Sequence, residues 1–147
     1  MTDVHEPEIR SYNMSQIRGK DTKPEFLVRK YLHSQGFRFR LHDKSLPGKP
    51  DIVMKKYTSV VFVHGCFWHG HEGCKYFTIP ATRTDWWSAK IERNRRKDTE
   101  SIEGLQKLGW TVYVIWECEL KPKKRNVTLE SLSTFLKNQE ITLKLGK

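Results

Sequence analysis

The chain has 147 residues, 37% of them apolar, and carries 27 Lys and Arg against 17 Asp and Glu for a formal net charge of +10. That length suits one well-cored domain and not two. A mean hydropathy of −0.69, with no apolar run near the roughly 18 residues a bilayer-spanning helix needs, excludes a membrane protein of that kind. The positive charge is spread along the chain, which predicts a basic face on a folded body and a polyanionic partner, nucleic acid first. A polar start unlike a signal peptide and an odd count of three cysteines point to the cytoplasm and to a metal or unpaired thiols, not to disulfides.

Residues 1–20 hold Arg10, Arg18 and Lys20 beside Met14 and Ile17, a mixture open to an arm, a short helix or, most simply, a frayed terminus. Residues 21–35 read as a helix: Thr22 can cap it, Pro24 suits its first turn, Leu27, Val28, Tyr31 and Leu32 share one face, and Gly36 stops it. Glu25 stands at capping-box spacing from Thr22, so its carboxylate can do no more than bind a backbone N–H. Residues 37–41 alternate with period two, as a half-wet strand does. After the break over Pro47, Gly48 and Pro50, residues 51–55 and 59–64 predict an antiparallel hairpin. Asp51 opens its first strand.

The chain then turns over Pro80, and Thr84 is expected to cap a long polar helix to Leu108, whose first half carries Lys90, Arg93, Arg95, Arg96 and Lys97. Such a run is usually only a solvated face. Gly109 ends the helix before an apolar strand over 110–116. A strand, a crossover helix and a second buried strand imply a right-handed parallel connection to 59–64. Residues 126–140, with Leu129, Leu132, Phe135 and Leu136, close as an amphipathic helix. The fold class is α/β, a mixed sheet flanked by helices.

Chemistry concentrates after the run Val60-Val61-Phe62-Val63-His64. Cys66, His69, His71 and Cys74 form a C-x2-H-x-H-x2-C pattern, and Cys118 follows the 110–116 strand closely. If those strands are neighbours, five candidate ligands compete for the four places of a tetrahedral zinc ion. One histidine is then spare. A closed set would be structural, an open one could activate water, and the plain alternative is buried thiols with surface histidines. Phe67-Trp68 and Trp86-Trp87 are either a small local core or blades that stack on or between bases.

The segments Pro50-Asp51, His64-Gly65-Cys66-Phe67-Trp68-His69, Pro80-Ala81-Thr82-Arg83-Thr84, Gly109-Trp110 and Trp116-Glu117-Cys118, with Asn13-Met14 and Asp21-Thr22, resemble the very short patch repair (Vsr) mismatch endonucleases, a likeness reaching to about Leu120. The resemblance implies a restriction-endonuclease-like fold with one structural Zn2+. It also implies Mg2+-dependent nicking, with two ions, 5′ of the thymine in a T:G mismatch left by deaminated 5-methylcytosine. By that resemblance Asp51 and the Val63 carbonyl would bind Mg2+, His69 would be the catalytic histidine, and Glu25 and His64 would organise water. Cys66, His71, Cys74 and Cys118 would hold zinc.

The same resemblance makes Phe67, Trp68 and Trp87 a wedge entering from the major groove, brings Met14 to the minor groove on an arm formed by residues 1–20, and places Asp98 near the site. The nuclease domain would be residues 21–147, a bacterial cytoplasmic monomer at the nucleoid, with mismatched double-stranded DNA and mismatch-repair proteins as partners. Two departures stand out: Val63 replaces a threonine of the family pattern, and the loop from His69 to Cys74 is one residue longer. Two other readings compete, a non-catalytic zinc module for distorted DNA and a restriction-type enzyme cutting matched DNA.

Overall fold

The computed structural model describes residues 22–145; the expected arm of residues 1–20, with Met14, lies outside them. Helix α1 (Lys23–Ser34) begins at Thr22, whose hydroxyl accepts from the Glu25 N–H at 3.4 Å. Its end is a Gly36 turn with φ +87°, in which the Phe37 N–H bonds the Leu32 carbonyl at 3.0 Å. That six-to-one bond satisfies a last-turn carbonyl, so Phe37 serves the cap and its ring enters the core. The expected 37–41 strand shrinks accordingly to β1 (Arg40–Leu41). The same motif recurs after the long helix Thr84–Lys107, where Gly109 has φ +95° and the Trp110 N–H bonds Leu105 at 3.0 Å. The strand expected from Trp110 therefore starts one residue later.

The remaining elements are β2 (Ile52–Met54), β3 (Ser59–His64), α2 (Thr84–Lys107), β4 (Thr111–Trp116) and α3 (Arg125–Leu145), with single 3-10 turns at Lys55–Tyr57 and Glu117–Leu120. The sheet order is β1-β2-β3-β4. β1–β2 and β2–β3 are antiparallel; β3 and β4 are parallel, Ser59 beside Thr111 through His64 beside Trp116. This is the mixed sheet with a helical crossover that the hydrophobic pattern predicts. Thr84 is not the cap of α2. Arg83 takes that position with φ +58°, and the Thr84 hydroxyl donates instead to the Pro80 and Ala81 carbonyls.

Strand alternation sorts the core into two layers. Ile52, Met54, Val61 and Ile115 pack with Val28 and Leu32 of α1 and Leu129, Leu132 and Leu136 of α3. Val53, Val60 and Phe62 pack with Leu105 of α2 on the other face. Gly48 lets the 46–50 break lie against α2: a Cβ there would sit 2.6 Å from that of Ser101. The consequence is a sheet whose β2 start and β3 end open together on one cleft.

Candidate active site and thiol cluster

The segment after β3 winds tightly. The His69 N–H bonds Gly65 at 3.2 Å, Gly70 bonds Phe67 at 3.2 Å, and His71 bonds Cys66 at 2.9 Å. Helix α2 clamps the result: Asn94 Nδ2 donates to the Trp68 carbonyl at 2.8 Å, and Arg95 Nε and Nη2 donate to the Gly70 carbonyl at 3.0 and 2.7 Å. Gly70 has φ +60°, and a Cβ there would meet Arg95 Nε and Ile91 Cγ2 at 2.5 Å. A one-turn winding of this kind sends Cys66 and His71 to one side and His69 to the other.

On the first side, one donor atom from each of Cys66, His71, Cys74 and Cys118 lies within 4.8 Å of all the others. The Cys118 N–H donates to Cys66 Sγ at 3.3 Å, and Cys118 Sγ is 3.5 Å from His71 Nδ1. The His71 ring stacks on Trp116, centroids 4.0 Å apart and planes 4° from parallel. Burial pushes the Cys66 thiol up to about 12, against the Cys118 N–H bond. Three sulfurs and one imidazole at this spacing match a tetrahedral soft-metal set, which would displace those thiol protons. The fifth candidate is accounted for: His69 Nδ1 is 2.6 Å from Asp98 Oδ2.

On the second side lies a cleft of about 550 Å³ lined by Glu25, Asp51, Val63, His64, His69 and Asp98, with Lys49 and Lys90 at its walls. Asp51 Oδ2 accepts from the Val63 N–H at 2.7 Å. A strand residue sends its N–H and C=O to the same edge, so the Val63 carbonyl faces the Asp51 end of β2 as well. Burial raises the Asp51 pKa, opposed by the Val63 N–H and by His42. Glu25 is almost fully buried; its Oε2 accepts from Arg29 Nη2 and lies 2.7 Å from His42 Nε2.

His64 and His69 stack face to face, 3.8 Å apart with 4° between planes. Burial, then the neighbouring His69, lowers the His64 pKa to about 3, so this ring is neutral at pH 7. Its Nδ1 is buried and has no hydrogen-bond partner among the described residues. With Asp98 accepting from His69 Nδ1, His69 Nε2 keeps a lone pair and can take a proton. An acid-held imidazole, an orphaned ring nitrogen and a carboxylate with one anchored oxygen on a basic-walled cleft suit hydrolysis of a phosphodiester.

The aromatic side chains are mutually packed. Phe67 lies 5.2 Å from Trp68 and 5.3 Å from Trp87, and Trp68 and Trp87 are each 7% exposed. Trp86 stays exposed, with the Arg83 guanidinium 4.7 Å above its ring. The local-core arrangement is thus present, and Trp68 also lines the cleft.

Three residues of this site, Arg29, His42 and Asn94, escape the sequence patterns, and Arg95 figures there only within a charge run. Only His42 has a recoverable signal. The β1–β2 register pairs Leu41 with Ile52, so the next position along sets His42 opposite Asp51, where its N–H bonds the Asp51 carbonyl at 3.2 Å.

Comparison with known proteins finds DNA endonucleases. The profile of a family described as DNA mismatch endonuclease Vsr matches residues 2–75. A type II nicking enzyme of Xanthomonas oryzae pv. oryzae, V.XorIIP, is 55% identical over 82% of the chain and 88% of its own length. The type II nicking enzyme V.NmeAIP of Neisseria meningitidis is 52% identical, over 84% and 87%. The DNA mismatch endonuclease Vsr of Escherichia coli is 46% identical, over 92% and 86%.

Proposed function

This chain belongs to the Vsr DNA mismatch endonuclease family and is a nuclease acting on DNA, and from that premise we propose that it nicks one strand 5′ of the thymine of a T:G mismatch, with Mg2+ in the cleft and Zn2+ in the thiol cluster. The observation that carries the reading is the convergence on one cleft of Glu25 from α1, Asp51 just before β2, His64 from β3, His69 from the loop after it and Asp98 from α2.

The donor sets divide by hardness. The cleft offers carboxylate and carbonyl oxygens, which suit magnesium, and the cluster offers thiolates, which suit zinc. Asp51 presents Oδ1 while Oδ2 is held by Val63, and the Val63 carbonyl faces the same end. Losing the family's threonine hydroxyl at this position leaves that carbonyl in place. Bound there, Mg2+ would neutralise charge on the scissile phosphate and acidify a water. His69, oriented by Asp98, takes or returns the proton. Glu25 and the orphaned His64 nitrogen orient the water, and Lys49 and Lys90 draw the phosphate backbone in.

Phe67, Trp68 and Trp87 form the wedge, opening their shared packing to enter the base stack at a cost of a few kcal/mol per step. Met14, outside the described residues, contacts the minor groove. A sheet whose central hairpin carries Asp51, with Glu25 on the preceding helix, supports a restriction-endonuclease-like fold. The protein works as a monomer, because one strand is cut.

Two relatives are named as type II nicking enzymes, which favours a second reading, nicking of a matched site. The deciding experiment supplies T:G and T:A duplexes of one sequence, with flanks varied across a panel, in Mg2+ or in chelator. Magnesium-dependent nicking of T:G alone supports the first reading. Equal cutting of T:A would replace it by the second.

A further inference from the structure

His42 stands just past β1 in the left-handed region at φ 47°, a conformation that costs most residues energy and is kept where the surroundings demand it. Its backbone N–H is fixed to the Asp51 carbonyl at 3.2 Å. Its side chain, 15% exposed, places Nε2 2.7 Å from Glu25 Oε2 and 3.9 Å from Asp51 Oδ1. A carboxylate oxygen only accepts, so Nε2 carries the proton and donates to Glu25. His42 does not line the cleft; it stands behind the two carboxylates that do.

We infer that His42 is a positioning residue that sets the separation and direction of the Glu25 and Asp51 carboxylates, and thereby the affinity of the cleft for a divalent cation. The inference rests on the reading of Asp51 as the cation-binding acid. Glu25 comes from α1 and Asp51 from the start of β2, two elements joined by a stretch that includes the 46–50 break. Nothing in helix or strand geometry alone fixes their distance. His42 ties them: its main chain belongs to the β1–β2 ladder and its imidazole to the α1 carboxylate. With Oδ2 of Asp51 taken by Val63, Oδ1 is left toward His42 and the cleft.

The alternative, that His42 is itself a ligand, fits less well. Its Nε2 is engaged with Glu25 Oε2 at 2.7 Å, lies farther from Asp51 Oδ1 at 3.9 Å, and stands outside the cleft lining. Arg29 Nη2, 3.4 Å from that nitrogen, adds a fixed positive charge on the same Glu25 oxygen, which repels a second cation. Groups that orient ligands from behind change metal affinity or activity by about 10–100-fold when removed.

Asparagine and glutamine separate positioning from mere folding. Glutamine places its amide N–H near the reach of Nε2, whereas asparagine stops short at about the place of Nδ1. Backbone preference runs the other way, since asparagine tolerates a left-handed φ better than glutamine. A purely structural role therefore predicts that His42→Asn outperforms His42→Gln, and the positioning role predicts the reverse.

The experiment measures Mn2+ binding to each protein by loss of the free-Mn2+ electron paramagnetic resonance signal, Mg2+-dependent nicking of a T:G duplex, DNA binding in chelator, and thermal melting. For His42→Asn we expect a Mn2+ dissociation constant raised, and a nicking rate at saturating Mg2+ lowered, by about 10–100-fold. Metal-free DNA binding should hold, and His42→Gln should lie within about threefold of wild type. His42→Asn at wild-type values, or His42→Gln as impaired as His42→Asn with both folded, overturns the inference. Wild type that neither binds Mn2+ nor nicks removes the underlying reading and the inference with it.

Discussion

His69 and His71 stand two positions apart, yet His71 meets three sulfurs while His69 meets the Asp98 carboxylate at 2.6 Å. The thiol cluster is closed: four donors from the loop and the turn after β4 face one another, and stacking on Trp116 fixes the imidazole. The cleft is open: Arg29, His42, Val63 and Asp98 hold its groups, and Asp51 and His69 keep part of their side chains exposed. A closed set of soft donors holds a structure, whereas an open set of hard donors meets a substrate. Damage to the cluster should therefore appear first as lost stability, and damage to the cleft as lost activity in a folded protein.

The largest effect is expected at the cluster. A structural zinc of this type contributes on the order of 10 kcal/mol to the state that binds it. Chelation, or Cys118→Ser, should lower the melting temperature sharply and release one Zn2+ per chain by metal analysis. A melt indifferent to chelator would erase the contrast.

Asp51→Asn should do the opposite. Losing several kcal/mol of charge stabilisation corresponds to nicking slower by about 10³-fold. Stability should hold or rise. Burial raises the Asp51 pKa, so this group favours the fold at low pH and opposes it as pH climbs through the folded value. The amide removes that opposition and still accepts from Val63. A melting temperature that falls with activity would blur the two regions.

Gly70→Ala tests the shared loop. A Cβ forced against Arg95 and Ile91 at 2.5 Å should cost about 1–3 kcal/mol, read in a denaturant titration, with metal retention and nicking both reduced. A change in only one would show that the two sides move independently. The smallest signal is expected from His64. Its folded pKa near 3 lies below the unfolded value, so its contribution to stability is present above about pH 6.5 and is lost as pH falls toward 3. Its ring resonances should not titrate between pH 7 and 5. A shift there would mean a wetter site.

Much of this contrast is legible in the residues themselves. Periodicity yields the element order and the parallel β3–β4 pairing, and with that pairing Cys118 reaches Cys66. The choice of which histidine joins the thiols is not in the spacing; it depends on the turn at Gly70 and on Asp98, a full helix away. His42 is hidden because its role follows from strand register, which a two-residue β1 barely announces. Phe37 shows the converse, an apparent strand position spent on ending a helix. The aromatic residues pack together, and composition alone does not rank such a cluster above the proposed blade.

The bond from the Cys118 N–H to Cys66 Sγ spans 52 positions, and between its ends the chain makes the whole of α2 and β4. During synthesis Cys66, His71 and Cys74 emerge together, but the last thiol follows only when the strand beside β3 has been made. Closing the four-donor cluster and completing the sheet are therefore one event, and a chain interrupted before Cys118 holds only three of the four donors.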